Sequence, residues 1–165
     1  MTFKSLIVGL CAALALTGCV EVQVGPSKPA AVALTSVSTA GAPNPRAFTA
    51  SLNNYRAQAG RPAVVPNPRL IAAAQAHARD MASQGYFSHR GKNGSMVRNR
   101  VRAQGYDGCF WAENLAMGQT SEAQVLRDWA ASPGHNRNLL SRAQEYGLGR
   151  VGDIWVLVLG SRCAR

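Results

Sequence analysis

The chain has 165 residues, which allows one domain plus a leader or tether but not a second large domain. Its hydrophobic share of 47% suits a globular protein, part of that share lying in the leader, and 18 Lys and Arg stand against 8 Asp and Glu for a formal charge of +10. Fifteen of the 18 cations are arginine, a side chain suited to bidentate contacts with anions such as phosphate-bearing lipid or polysaccharide; a solvated basic surface is the plainer account. No helix-turn-helix or RNA-binding pattern with aromatics among the basic residues is present, so nucleic acid is not an expected partner.

Residues 1–18 read as a signal peptide. Lys4 supplies the short positive region, and Leu6 to Leu16 is an apolar run too short to span a bilayer. The run ends in Leu16-Thr17-Gly18-Cys19, which resembles a bacterial lipobox; cleavage before Cys19 and its acylation would anchor the protein to a membrane through a lipid. Loss of Lys4 with the leader takes the formal charge from +10 to +9. Val20 follows the cysteine where an aspartate would argue for the inner membrane. The expected location is therefore extracytoplasmic and lipid-anchored, at the outer membrane facing the periplasm or the cell surface. Cys11 leaves with the leader and Cys19 carries lipid, so Cys109 and Cys163 remain as an even pair in an oxidising compartment. A bridge between them is expected; the alternative is two buried thiols.

Residues 19–45 are rich in Pro, Ala, Ser and Thr with little charge and no helical period, a tether. The domain is expected over residues 46–165. Asn44-Pro45 starts a helix with Phe48, Leu52, Tyr55 and Ala59 on one face, stopped by Gly60. Val64-Val65-Pro66 is an extended connector. Asn67-Pro68 starts a second helix by placing a capping side chain before a proline at the first helical position. It runs to about Gln84 with Leu70, Ala73, Ala74, His77, Ala78 and Met81 inward, and its alanines imply close approach to a neighbouring helix or sheet. Ser95 caps a third helix through Gln104, whose Arg98, Arg100 and Arg102 cannot share one face.

Cys109 to Met117 is a short strand or extended arm. Ser121 to Gln124 is a capping box opening a fourth helix with Val125 and Trp129 inward. The chain then breaks at Ser132-Pro133-Gly134, and His135 opens a short helical turn through Leu140. Tyr146–Val151 and Ile154–Gly160 are strands joined by a tight turn at Gly152-Asp153. Trp155 to Leu159 is nearly all apolar, so that strand is covered on both faces. Together these elements predict an α+β fold, a three-layer α-β-α sandwich with a small, mostly antiparallel sheet between helices.

His89, Glu113 and His135 are expected to meet in one cleft. Two imidazoles and a carboxylate, with water in the fourth position, form a plausible ligand set for zinc or another divalent cation. No local spacing supports this, because the three lie far apart in sequence. His77, on the apolar side of its helix, reads as a packed, hydrogen-bonded histidine. Trp111, Trp129 and Trp155 read as core. Asn114 is expected to satisfy backbone groups beside Glu113. A Ser132-His135-Glu113 triad lacks a strained nucleophile elbow.

From about Phe48 to Gly160 the chain resembles the CAP (SCP) superfamily, which includes cysteine-rich secretory proteins, insect venom antigen 5 and plant pathogenesis-related proteins. The matching pieces come in family order: Leu52-Asn53-Asn54-Tyr55-Arg56, the alanine-rich helix with His77 and Met81, Tyr86-Phe87-Ser88-His89, Glu113-Asn114-Leu115-Ala116, Trp129 to His135, and the tryptophan-bearing terminal hairpin. The bacterial branch with the short Ser-Pro-Gly-His corner is the most similar. The resemblance implies an α-β-α sandwich and a cleft of two histidines and two glutamates that can bind a divalent cation. His89, His135 and Glu113 carry over; Ser132 stands where the second glutamate usually lies, so weaker zinc binding is implied. The expected function is a monomeric cell-envelope binding module for a lipid or polysaccharide. A metal-dependent hydrolase acting on peptide or cell wall through the same cleft is the alternative, and a purely structural or interaction role in the envelope is a third.

Overall fold

The computed structural model describes residues 44–163. The leader, the lipidation position Cys19 and nearly all of the tether lie outside the described residues. Among the described residues no helix is long and apolar enough to cross a membrane.

Both Asn-Pro starts form as expected. Asn44 caps α1 (Pro45–Gln58), its side-chain oxygen accepting from the backbone N–H of Arg46 at 3.2 Å and of Ala47 at 3.3 Å. Asn67 caps α2 (Pro68–Gln84) through Arg69 N–H at 2.9 Å. Between them Val65–Pro66 is more than a connector. It is β1, paired in parallel with β3 (Glu145–Val151), which no local signal announces. α3 (Val97–Ala103) starts later than expected: Met96 occupies the cap position, and Asn99 reaches back to accept from Met96 N–H at 3.0 Å. Ser95 instead offers its carbonyl to Arg100.

The expected arm is a full edge strand, β2 (Gly108–Met117). Ser121 caps α4 (Glu122–Ala131), but only half of the capping box closes. Gln124 Oε1 accepts from Thr120 N–H at 3.0 Å, one residue before the cap. α5 (Pro133–Leu139) begins at the proline, with Ser132 extended as the cap of both α4 and α5, so His135 lies inside the first turn rather than opening it. Proline at the first helical position has no N–H to lose and a pre-set φ, which is why the break is one residue long. β3 and β4 (Ile154–Arg162) pair across Val151 and Ile154, with Gly152 at φ 58° in the two-residue turn.

The sheet order is β1-β3-β4-β2, antiparallel except for β1 with β3. Trp155, Leu157 and Leu159 of β4 pack with Phe48, Leu52, Val125, Trp129 and Leu139, the α1, α4 and α5 layer. Ile154, Val156 and Val158 pack with Leu70, Ala74, Ala78, Met81 and Val101, the α2 and α3 layer. Both faces of the apolar strand are covered, as its lack of alternation requires.

The α2 layer lies unusually close. A methyl group at Gly147 would stand 2.1 Å from the backbone carbon of Leu70, and one at Gly149 would stand 2.5 Å from Ala74 and Gln75 backbone. The helix therefore rests on two glycines with its alanines facing the sheet. Gly147→Ala is expected to destabilise the protein by about 2–3 kcal/mol, because a rigid helix backbone must move. An unshifted thermal midpoint in that variant would contradict the packing.

Glu145 ties this layer together at the start of β3. Its Oε1 accepts from Asn67 Nδ2 at 2.8 Å, orienting the α2 cap, and its Oε2 accepts from the buried Tyr106 hydroxyl at 2.7 Å. Burial alone would raise its carboxyl, but the hydrogen bonds from Tyr106 and Asn67, with Arg162 beside them, hold it below the usual carboxylate range. A depressed carboxylate contributes stability above its unfolded pKa, and that contribution is lost as pH falls through the folded value. The wild-type advantage over Glu145→Gln should therefore be full at neutral pH and shrink below about pH 4. Urea midpoints at neutral and acid pH measure it; a constant difference would count against this linkage.

Candidate functional site

The polar residues of interest gather at the free edge of the sheet, along β2. β2 alternates its side chains, so Glu113 points with Trp111 toward the α3 layer and Asn114 toward α5. Its outward carbonyls are not left open: Asn138 Nδ2 donates to Glu113 O at 3.1 Å, and Trp129 Nε1 donates to Leu115 O at 3.1 Å.

His89 sits in the α2–α3 connection, and its backbone is pinned on both sides. His77 on α2 donates from Nε2 to Ser88 O at 3.0 Å, and Arg100 donates from Nη2 to His89 O at 3.0 Å. His77 is 1% exposed, and burial, with Arg100 nearby, lowers its pKa. It is thus the packed, hydrogen-bonded histidine expected, and it also positions the His89 loop. Its Nδ1 is buried without a partner among the described residues.

His89 Nδ1 donates to Glu113 Oε1 at 2.8 Å. The imidazole side chain is 50% exposed and the carboxylate 3%. In the neutral ring this leaves Nε2 with a free lone pair, so a buried acid orients a half-exposed imidazole. That nitrogen can accept a hydrogen bond or take a proton, the geometry of an oriented base. Glu113 also binds Arg100, whose Nη2 lies 3.0 Å from Oε1 and 2.7 Å from Oε2. Arg100 is 11% exposed at its side chain, so this is a largely buried ion pair.

His135 approaches from α5. Asn114 Nδ2 donates to His135 O at 3.1 Å, and Asn138 bridges Asn114 Oδ1 at 2.8 Å. The division of labour differs from that expected: Asn138 serves the Glu113 carbonyl, and Asn114 fixes the histidine's helix. Burial lowers the His135 pKa, and the His89 ring lowers it further. The carboxylate orients His89 rather than His135, so a Ser132-His135-Glu113 relay is not assembled. Ser132 makes no capping bond with its side chain; its carbonyl accepts from Asn136 N–H at 2.8 Å.

The fit to a divalent cation is poor. Among the described residues no group of three His, Cys, Asp or Glu is arranged to hold a metal ion. Both oxygens of Glu113 already face a guanidinium. Unit charges about 4 Å apart repel by about 4 kcal/mol at an effective dielectric of about 20, and a doubly charged ion by about twice that. Ser132 adds no negative charge. Arg100 is the residue that sequence reasoning misses. Its only signal is the alternation Arg98, Arg100, Arg102. In the structure Arg98 and Arg102 lie over the Trp111 ring, each 5.6 Å from its centroid, while Arg100 turns to Glu113.

Trp129 and Trp155 are core, as expected, and Trp111 is half-buried with its Nε1 unpaired among the described residues. The Cys109–Cys163 bridge is formed, with a Cα–Cα distance of 5.0 Å. A cavity of about 140 Å³ lined by Pro45, Pro66, Ile71, Gln75, Tyr146 and Leu148 lies beside β1, at the opposite edge of the sheet. It is mostly apolar and holds none of the three residues, so the polar groups along β2, not this hollow, mark the candidate site.

The profile described as the CAP, cysteine-rich secretory protein family matches residues 49–153. The chain is 30% identical over 89 residues to Bacillus subtilis (strain 168) YkwD, a stretch that is 52% of this chain and 35% of that protein. In structure it is similar to an extracellular protein containing a SCP domain from Bacillus anthracis, at a TM-score of 0.68 and 21% identity over 71% of this chain and 40% of the other. It is also similar to an outer surface protein from Borrelia burgdorferi, at a TM-score of 0.67 and 19% identity over 72% and 92% of the two chains. The chain thus spans well under half the length of YkwD and of the B. anthracis protein. With the family profile matching most of its length and an α-β-α sandwich of the same architecture, the chain belongs to the cysteine-rich secretory protein (CAP) family.

Proposed function

We propose that this protein is an extracytoplasmic binding module, held to the membrane through lipid on Cys19, whose His89-Glu113-His135 cleft takes a polar ligand of the cell envelope. The observation that carries the reading is His89: a half-exposed imidazole aimed by a buried carboxylate and by a loop tied down at both flanking carbonyls. Such a network fixes a half-exposed polar ring, which suits binding more than folding. The leader and the described relatives support the location, since the B. anthracis neighbour is named as extracellular and the Borrelia one as an outer surface protein. Divalent-cation affinity is expected to be weak, because Ser132 replaces an acid and Arg100 neutralises Glu113.

Mass spectrometry of the natively purified chain tests the reading. It should find acylated Cys19 at the mature N-terminus and a co-purifying envelope lipid or glycan. That ligand should fall at least about tenfold in a folded His89→Ala, His135→Ala double variant. Equal retention in the double variant would sink the proposed cleft. The oriented His89 base favours a hydrolase as the second reading, and incubation with peptides and peptidoglycan decides it. Turnover lost in His89→Ala would establish the enzyme; ligand retention without turnover leaves the module.

A further inference from the structure

Arg100 occupies an unusual position for a surface-helix arginine. Its guanidinium is held by two backbone carbonyls independent of Glu113, Ser95 O at 2.8 Å from Nη1 and His89 O at 3.0 Å from Nη2. From that fixed place Nη2 reaches both oxygens of Glu113. One positive group therefore joins the His89 loop to strand β2 and neutralises the buried acid between them. Asp80, another acid that feels this charge, is occupied by Tyr86 and Gln84. A metal ion on Glu113 would perform the same two tasks. It would also have to displace Arg100 and take the oxygen that His89 Nδ1–H now uses.

We propose that Arg100 is the resident cation of this cleft, standing where a divalent ion would stand, so that the His89–Glu113 pair is assembled without metal. The cleft is then insensitive to chelators, and the half-exposed His89 ring remains free to meet a ligand directly. This inference concerns how the cleft is built. It stands apart from the binding-module reading, since a cleft that retains no ligand could still be held together by Arg100.

Zinc chloride is the probe, titrated calorimetrically into the untagged chain. Wild type is expected to show no binding in the micromolar range. Arg100→Met removes the charge while keeping much of the apolar stem. It should bind zinc at least about tenfold more tightly than wild type, and the gain should vanish when Glu113→Gln is added. Micromolar or tighter one-to-one binding by wild type overturns the proposal. So does a folded Arg100→Met protein, verified by circular dichroism, that binds no better. Should that variant fail to fold, the wild-type imidazole NMR signals decide. The chain has three histidines, so the rings of His89 and His135 are readily followed. Signals unmoved by excess zinc and by chelator support the proposal; signals that shift with stoichiometric zinc overturn it.

Discussion

Arg56→Leu is expected to destabilise the protein by about 3–5 kcal/mol. Arg56 lies in the last turn of α1 and is wholly buried. Its guanidinium donates to Pro62 O at 2.8 Å, to Leu139 O, to Ser141 O at 3.1 Å and to Ala143 O at 3.2 Å. Among the described residues it has no acidic partner. Burial, with the positive charge of Arg61, pushes its pKa below the ordinary arginine value, but a guanidinium starts so high that it stays charged at neutral pH. The carbonyls it binds belong to the α1–β1 connection, the end of α5 and the segment leading to β3. Removing the fork leaves four buried or half-buried acceptors without donors, which is the expensive half of a hydrogen bond. Arg56→Lys keeps the charge but offers a single ammonium to carbonyls spread over three segments, and should recover only part of the loss. Because Leu139 ends the helix that carries His135, the same variants should also loosen that helix. Urea midpoints measure the stability, and a wild-type midpoint in Arg56→Leu would refute the role.

Arg56 also shows what sequence reading can and cannot reach. It lies next to Tyr55 within a matched stretch, yet it carries no mark of burial, because its partners are main-chain carbonyls far along the chain. The same holds for β1. Val65 and Pro66 read as extended from their own chemistry, but pairing with Glu145 and Tyr146 is a non-local event. By contrast, Asn44-Pro45 and Asn67-Pro68 announce their helices because cap and first turn are contiguous. The terminal hairpin is legible from its turn and from the unbroken apolar run that follows. Helix starts without a strong cap are less legible: Ser95 looks like a cap, but its carbonyl is claimed by Arg100, and the helix begins two residues on.

The site follows the same division. Resemblance brings His89 and Glu113 to one cleft, and the structure puts Nδ1 and Oε1 in hydrogen-bond contact. What the sequence does not convey is the cation already on that carboxylate. An arginine three residues into a short helix, flanked by two others that cover Trp111, gives no sign of which one turns inward. With few acids in the chain and one of them buried, the charge needs a partner; its identity depends on how α3 docks on β2.

Reducing the Cys109–Cys163 bridge should lower stability by about 4 kcal/mol in the chain-entropy limit. The bond spans 54 residues, a loop that contains α4, α5, β3, β4 and most of β2. Opening it restores to the unfolded chain the freedom that the closed loop denied, while native contacts change little. Cys109 lies at a register shift where β2 faces β4, between Gly108 opposite Arg162 and Phe110 opposite Ser161, and Cys163 follows the last residue of β4. The bridge therefore fastens an irregular end of the sheet whose ladder is interrupted, rather than duplicating regular pairing. Both cysteines are exposed, so reductant should reach the bond without unfolding the domain. For a domain of this size the loss corresponds to about 15 °C in thermal midpoint. Calorimetry with and without dithiothreitol, and of the Cys109→Ser, Cys163→Ser double variant, measures it. The two reductions should agree, because each removes the same constraint. A midpoint that stays in place once thiol titration shows the bond open would mean that residual structure in the unfolded chain already holds the loop ends together.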